Sequence, residues 1–262
     1  MYYIGIDIGS TASKVCVLPP KEGAAEDIMR CEVLPTGWSS KVTSASIKKQ
    51  LEPYLNSEEG CRTVATGYGR ISVDYADKVI TEISCHARGG FELAGKDCSV
   101  IDIGGQDTKF ISVHNGKAID FLMNDKCAAG TGKFIEVMAN RLGVTIEDMF
   151  ELAEEGHANG HPVSISSLCT VFAESEVINY MGEGKDKEDL AAGIIQSVAL
   201  KVATLVQRRE LQDYVILTGG LSQSHFLASL LSSELHTEVH PMENGRFAGA
   251  LGAALLAKEK LQ

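Results

Sequence analysis

Apolar positions along this chain fall into two patterns. Short runs dense in Ile, Val, Leu and Phe and bounded by glycine read as buried strands, and longer stretches with apolar residues three and four apart read as helices. Strands are expected at residues 3–8, 13–18, 61–66, 99–103, 108–113, 118–122 and 214–217. Helices are expected at 76–93, 130–142, 170–181, 186–209, 223–231 and 246–258. The stretch EEGHANGHP at 154–162 reads as a loop because glycine and proline interrupt it. Strands alternating with helices define an α/β chain.

The pattern contains a repeat. Ile6-Asp7-Ile8-Gly9 recurs as Ile101-Asp102-Ile103-Gly104, and Lys14 recurs as Lys109. Both offsets are 95 (102 − 7 and 109 − 14), so the two stretches align without a gap. Each copy reads strand, glycine turn, strand. A shared tetrapeptide, hairpin and trailing lysine together favour duplication of a half-domain. The boundary falls between residues 85 and 100, giving an N-terminal half at 1–90 and a C-terminal half at 91–262. The last helix is a candidate to pack back on the first half.

The turns carry candidate chemistry. Gly9 lets backbone N–H groups approach phosphate oxygens, and Ser10, Thr11 and Lys14 add donors and charge. Asp7 and Asp102, at the ends of related strands, are placed to hold Mg²⁺ through its waters, because that ion keeps most of its hydration shell. Gly104, Gly105, Gln106 and Asp107 follow where a γ-phosphate would lie, and Gln106 is a candidate to orient an attacking water. Thr218-Gly219-Gly220, after a strand and before a helix, suits the nucleotide's sugar and α-phosphate. One such turn is an ordinary hairpin; three in this order, two with Asp and Lys, indicate a nucleotide site. No G-x-x-x-x-G-K-[ST] motif is present, so the site is not a P-loop. The expected fold is the actin/sugar-kinase/Hsp70-like ATPase fold, two duplicated α/β halves with a nucleotide cleft between them.

Composition narrows the partners. The 262 residues carry a formal net charge of −11 with Lys and Arg scattered, which argues against a nucleic-acid or anionic-membrane partner. No basic, leader-like start precedes the first strand. The longest apolar run, 247–257, is about half the roughly 20 residues that span a bilayer. A cytoplasmic location is expected, and the seven cysteines are then expected to stay reduced.

Two of those cysteines sit in unusual surroundings. Cys127 lies in NDKCAAGTG at 124–132 and Cys169 in SISSLCT at 164–170, each just ahead of a helix. Helix N-termini stabilise thiolates, and small neighbours leave room for a bulky group. Two thiolates cannot fill the four positions of a cubane cluster, but two copies of the chain would supply four. A free cysteine is also commonly a small buried hydrophobe. That is the reading for Cys16, Cys31, Cys61, Cys85 and Cys98. For Cys127 and Cys169 local features leave both readings open.

The chain resembles the activator proteins of 2-hydroxyacyl-CoA dehydratases, the ATPase and iron–sulfur family that also includes the ATPase subunits of benzoyl-CoA reductases. The matching stretches are IGIDIGSTASK at 4–14, ATGYGR at 65–70, EISCH at 82–86, IDIGGQDTK at 101–109, FLMNDKCAAGTG at 121–132, SISSLCTVFAESEV at 164–177, TGG at 218–220 and FAGALGAAL at 247–255. They cover the chain nearly end to end, and CAAGTG is the most specific; the stretch 19–37 is less typical. The resemblance implies a homodimer with one [4Fe-4S] cluster between subunits, ligated by Cys127 and Cys169 of each. It implies an oxygen-sensitive, ATP-gated one-electron donor that binds ATP and ADP with Mg²⁺. Its donor would be a ferredoxin- or flavodoxin-type protein, and its acceptor a partner iron–sulfur enzyme, an acyl-CoA dehydratase or reductase.

Other readings are weaker. His157 and His161 are four apart, but the intervening glycine disfavours a helical metal face. Glu174 and Glu176 suit a nucleotide, a dimer seam or plain solvation, and KDKED at 185–189 suits a wet helix start. A benzoyl-CoA-type or double-cubane reductase is the alternative acceptor. A metabolite kinase of the same fold would need a substrate-binding insertion, and an actin-like filament would have no use for the two cysteines.

Overall fold

The structure, a computed structural model, describes residues 1–20, 30–166 and 169–261. Much of the less typical stretch, and positions 167–168 of the SISSLCT match, lie outside the described residues. The strands are β1 (Tyr2–Ile8), β2 (Ala12–Leu18), β3 (Arg30–Pro35), β4 (Cys61–Thr66), β5 (Lys78–Val79), β6 (Cys98–Ile103), β7 (Thr108–His114), β8 (Lys117–Asn124), β9 (Val215–Gly219) and β10 (Val239–Pro241). The helices are α1 (Ser40–Leu55), α2 (Glu82–Ala94), α3 (Gly132–Leu142), α4 (Ile146–Asn159), α5 (Thr170–Gly182), α6 (Lys187–Val206), α7 (His225–Leu235) and α8 (Ala248–Lys260). Two compact units result. One holds Met1–Val100, Ile111–Phe121 and Met242–Gln262, the other Ile101–Phe110 and Leu122–Pro241.

The duplication extends well beyond the nine aligned residues. The first sheet runs β3-β2-β1-β4-β5, and the second, read from its β8 edge, runs β8-β7-β6-β9-β10. Strand for strand, the two orders are the same. In the first sheet β1 pairs antiparallel with β2, placing Asp7 opposite Lys14, and parallel with β4, placing Asp7 opposite Thr66. Ile4, Ile6 and Ile8 are fully buried. Neighbouring β4 is also mostly buried, as expected of strands covered on both faces.

Helix α8 supplies one of those covers, packing on β1, β2, β4 and α2. Glycine makes the approach possible: a Cβ on Gly5 would lie 1.9 Å from the Ala250 carbonyl oxygen, and one on Gly252 would lie 1.8 Å from that of Cys85. Buried nearly all round, α8 has no polar face to display. In the second unit α6 forms the core, with Ile194, Ile195, Val198, Val202 and Val206 packed among Met149, Ala153 and Leu231. Its length and composition pass for a membrane span, yet 61% of that window is buried inside the protein, the mark of a core helix.

Two expected boundaries shift. The loop expected at 154–162 is largely the C-terminal half of α4. Gly156 is there because a Cβ would lie 2.1 Å from the Glu188 carbonyl oxygen, so it lets α4 close on the start of α6. The helix expected from residue 76 starts at Glu82, where Thr81 accepts the Ser84 N–H. The residues before it pair with β4, Ala65 opposite Val79.

Candidate functional site

The two related turns are anchored in the same way. In the first unit the Gly9 carbonyl accepts the Thr36 hydroxyl at 2.8 Å, and the Ile8 carbonyl accepts the Gly69 N–H at 2.8 Å. In the second unit the Gly104 carbonyl accepts the Gly132 N–H at 2.9 Å, the Gly105 carbonyl that of Lys133 at 2.8 Å, and the Ile103 carbonyl that of Gly220 at 3.2 Å. A trans peptide sends its C=O and N–H to opposite sides. The anchored carbonyls of Gly9, Gly104 and Gly105 therefore turn the N–H that follows each, those of Ser10, Gly105 and Gln106, away from the anchor. Successive N–H groups presented this way suit an anion.

Each turn is followed by a second glycine turn on the neighbouring strand. Thr66-Gly67 ends β4 and Thr218-Gly219 ends β9, with Gly67 at φ 83° and Gly219 at φ 89°. A Cβ on Gly67 would lie 2.3 Å from Asp7 Oδ1, and one on Gly219 would lie 2.2 Å from the Ile103 carbonyl oxygen. Both positions demand glycine for conformation and for space. TGYG at 66–69 is thus the counterpart of TGG at 218–220.

The two aspartates differ in their company. Asp102 is 2% exposed; its Oδ1 accepts the Thr218 hydroxyl at 2.8 Å and its Oδ2 lies 3.3 Å from Lys109 Nζ. Lys109, itself 1% exposed, also lies 2.8 Å from Asp107 Oδ2. Asp7 is 4% exposed in a glycine cradle where a Cβ on Gly249 would lie 2.6 Å from its Oδ2 and 2.8 Å from His86 Nε2. Lys14, half-buried beside Gly9, forms no ion pair among the described residues. The charge of one repeat lysine is therefore neutralised inside its unit and that of the other is available to a ligand. Gln106 is exposed.

The cysteines separate by environment. Cys16 and Cys31 face each other across β2 and β3, and burial, reinforced by Cys31, holds the Cys16 thiol well above its ordinary value. Burial pushes the Cys85 and Cys98 thiols up to about 12. Cys169, by contrast, is exposed and is itself the N-cap residue of α5. Cys127 is half-buried and lines a pocket of about 180 Å³ together with Thr108, Asn124, Gly130, Lys201 and Arg208.

The loop that carries Cys127 is tied at several points. Asn124 Nδ2 donates to the carbonyls of Cys127 at 2.9 Å and Ala129 at 3.3 Å, and the Thr131 hydroxyl donates to that of Ala128 at 2.7 Å. The Thr108 hydroxyl donates to the Gly130 carbonyl at 2.5 Å. Of the N–H groups that a helix start leaves without an intrahelical partner, those of Gly132 and Lys133 at the start of α3 go to the Gly104–Gly105 turn. Thr108, Lys109 and Asn124 are not among the expected site residues, although the repeat and the matching stretches contain them; Thr218 is expected beside the nucleotide's sugar and α-phosphate, and its hydroxyl goes to Asp102. Glu174 pairs with Arg141, and Glu176 accepts from Ser166 N at 2.9 Å and Oγ at 2.8 Å. His157 lies in the last turn of α4 with its ring edge-on to Phe226, and His161 lies past the left-handed Gly160, so they share no helical face.

Residues 4–257 match the BadF/BadG/BcrA/BcrD ATPase family. The chain is 45% identical over 262 residues to the (R)-2-hydroxyglutaryl-CoA dehydratase activating ATPase of Acidaminococcus fermentans, covering 99% of this chain and 98% of that protein. The solved activator of the 2-hydroxyisocaproyl-CoA dehydratase from Clostridium difficile, with bound ADPNP, superposes with a TM-score of 0.87 at 42% identity. That match covers 100% of this chain and 97% of the other. A ROK family glucokinase from Streptomyces griseus superposes with a TM-score of 0.59 at 15% identity over 99% of this chain and 100% of the other. Two such sheets and these matches make the fold actin/sugar-kinase/Hsp70-like.

Proposed function

The chain belongs to the BadF/BadG/BcrA/BcrD ATPase family, and we propose that it is the ATP-dependent one-electron donor that activates a 2-hydroxyacyl-CoA dehydratase. It is an ATPase, and ATP and ADP are its nucleotides. The Gly9–Thr11 turn with Lys14, the Gly104–Asp107 turn, and Gly219 with Gly220 bind the nucleotide. Asp7 and Asp102 hold hydrated Mg²⁺, and Gln106 orients the water that attacks the γ-phosphate. The unpaired charge of Lys14 and the glycine cradle around Asp7 support those roles.

The observation that carries the redox half of the reading is the contrast among the cysteines. Two thiols stand off the strands and core helices, one exposed at a helix start and one lining a pocket. No cluster of three or more His, Cys, Asp or Glu side chains suited to a metal occurs among the described residues. One chain therefore offers two thiolates, and a second copy completes the four that a [4Fe-4S] cluster takes. Val171 and Phe172, beside Cys169 on α5, are 65% and 66% exposed, apolar surface that a second copy would cover. The donor set fits the cluster, with Cys127 and Cys169 as its ligands. Bound there, the cluster supplies a one-electron centre at low potential; Asn124 and Thr131 fix the loop that presents Cys127. A ferredoxin- or flavodoxin-type protein supplies the electron.

Mixing the anaerobically reduced protein with a purified 2-hydroxyacyl-CoA dehydratase tests this. Dehydration should start only when ATP and the reduced activator are both present. Dehydration at the same rate without ATP, or none with both, would overturn the proposal.

A further inference from the structure

Three hydrogen bonds among the described residues join the strand turn at Gly104–Gly105 and the loop that carries Cys127. Gly132 N donates to the Gly104 carbonyl at 2.9 Å, Lys133 N to the Gly105 carbonyl at 2.8 Å, and the buried Thr108 hydroxyl to the Gly130 carbonyl at 2.5 Å. The two backbone bonds hold the first turn of α3. The hydroxyl bond holds the residue just before its N-cap Thr131. Beyond Gly130 the loop has little slack: Asn124 spans the Cys127 and Ala129 carbonyls, and Thr131 ties back to Ala128.

We propose that Thr108 is a positioning residue that relays the state of the nucleotide to Cys127. This rests on the functional reading above, in which the 104–107 turn binds phosphate and Cys127 binds the cluster. The Gly104–Gly105 and Gly105–Gln106 peptides each hold α3 through the carbonyl and present the N–H on the opposite side. A phosphate that draws those N–H groups tilts both planes and, through hydrogen-bond polarisation, tightens the carbonyl bonds on the far side. Those bonds move α3 along its start. Thr108 begins the strand that leaves the same turn, and its hydroxyl carries the movement into Gly130, three residues from Cys127. Without that hydroxyl α3 still follows the turn, but the loop ahead of Thr131 follows it only through the chain and the Thr131–Ala128 bonds. Gly132 marks the tightness of the seam, since a Cβ there would lie 3.2 Å from the Gly104 carbonyl oxygen.

The test compares the anaerobic holoprotein with ADP and with a non-hydrolysable ATP analogue. Two readouts are taken, the rate at which an iron chelator strips the cluster and the electron paramagnetic resonance spectrum of the reduced cluster. Wild type should give rates and spectra that differ between the nucleotides. Thr108→Val should keep iron content and nucleotide affinity while the ratio of the two rates falls toward unity. Thr108→Ser should restore the ratio. Gly132→Ala, which presses on the same seam and keeps the hydroxyl, should change the ratio without abolishing iron binding. A wild-type ratio in Thr108→Val or in Gly132→Ala would overturn the relay and leave the function standing. Wild-type protein that binds no iron, or whose cluster ignores nucleotide, would overturn the function and the relay with it.

Discussion

Lys109 Nζ lies 3.3 Å from Asp102 Oδ2 with both side chains buried, while its repeat counterpart Lys14 forms no ion pair among the described residues. Duplication produced two equivalent lysines, and packing gave them different work. One neutralises carboxylates within its own unit; the other has no carboxylate partner among the described residues.

The two lysines should therefore separate stability from binding. Lys109→Met strands the Asp102 and Asp107 charges and should cost about 3–5 kcal/mol of stability. Lys14→Ala should change stability by no more than about 0.5 kcal/mol yet weaken ATP binding. Urea unfolding and calorimetry decide it, and equal effects of both variants on stability would refute the division. Asp102→Ala is a poorer probe of the nucleotide site, because Lys109 and Thr218 both lean on that carboxylate.

Gln106 is exposed on its turn, with its N–H turned from the anchored Gly105 carbonyl. Gln106→Ala should slow ATP hydrolysis more than about ten-fold, or about 1.4 kcal/mol of barrier, with ATP affinity held. Phosphate release at the wild-type rate would remove Gln106 from the water-orienting role.

The α2–α8 contact depends on glycine. A Cβ on Gly252 would meet the Cys85 carbonyl oxygen at 1.8 Å, so Gly252→Ala should cost at least about 1–3 kcal/mol. Gly182→Ala, where a Cβ meets nothing within 4 Å, is the control and should be neutral or stabilising. Thermal melts of the two variants should diverge.

Burial holds the Cys85 and Cys98 thiols up at about 12 against an ordinary 9.0. At pH 8 both should resist alkylation in the metal-free protein, while exposed Cys169 is modified. Because the folded values are raised, the stability these thiols contribute is complete below 9.0 and lost as pH climbs toward about 12. Mass mapping checks the first statement and urea midpoints across that window the second.

The hairpins were legible because β1–β2 and β6–β7 keep an ungapped offset, and strand alternation survives wherever a sheet is buried. The companion turns do not show as a pair along the chain. Thr66 lies 59 residues after Asp7 (66 − 7), but Thr218 lies 116 after Asp102 (218 − 102), because helices α3 to α6 intervene. α4 was hidden by Gly156, a glycine required by a neighbouring backbone rather than by a turn. α1, which contains Pro53, has an apolar face too weak to stand out. Strands β5 and β10, two and three residues long, are too short to show any period. At the site, the residue types and turns could be read from the chain. The Thr108 and Asn124 bonds could not, since they depend on where the 124–132 loop folds back.

The most direct measurement is the iron content of anaerobically purified protein, taken with its oligomeric state. Four thiolates from two chains around one cubane cluster require about two iron atoms per chain in a dimer. Cys127→Ala and Cys169→Ala, each removing two ligands by symmetry, should both abolish the cluster while ATP binding persists. Four iron atoms per chain, or an intact cluster in the Cys169→Ala protein, would contradict the account.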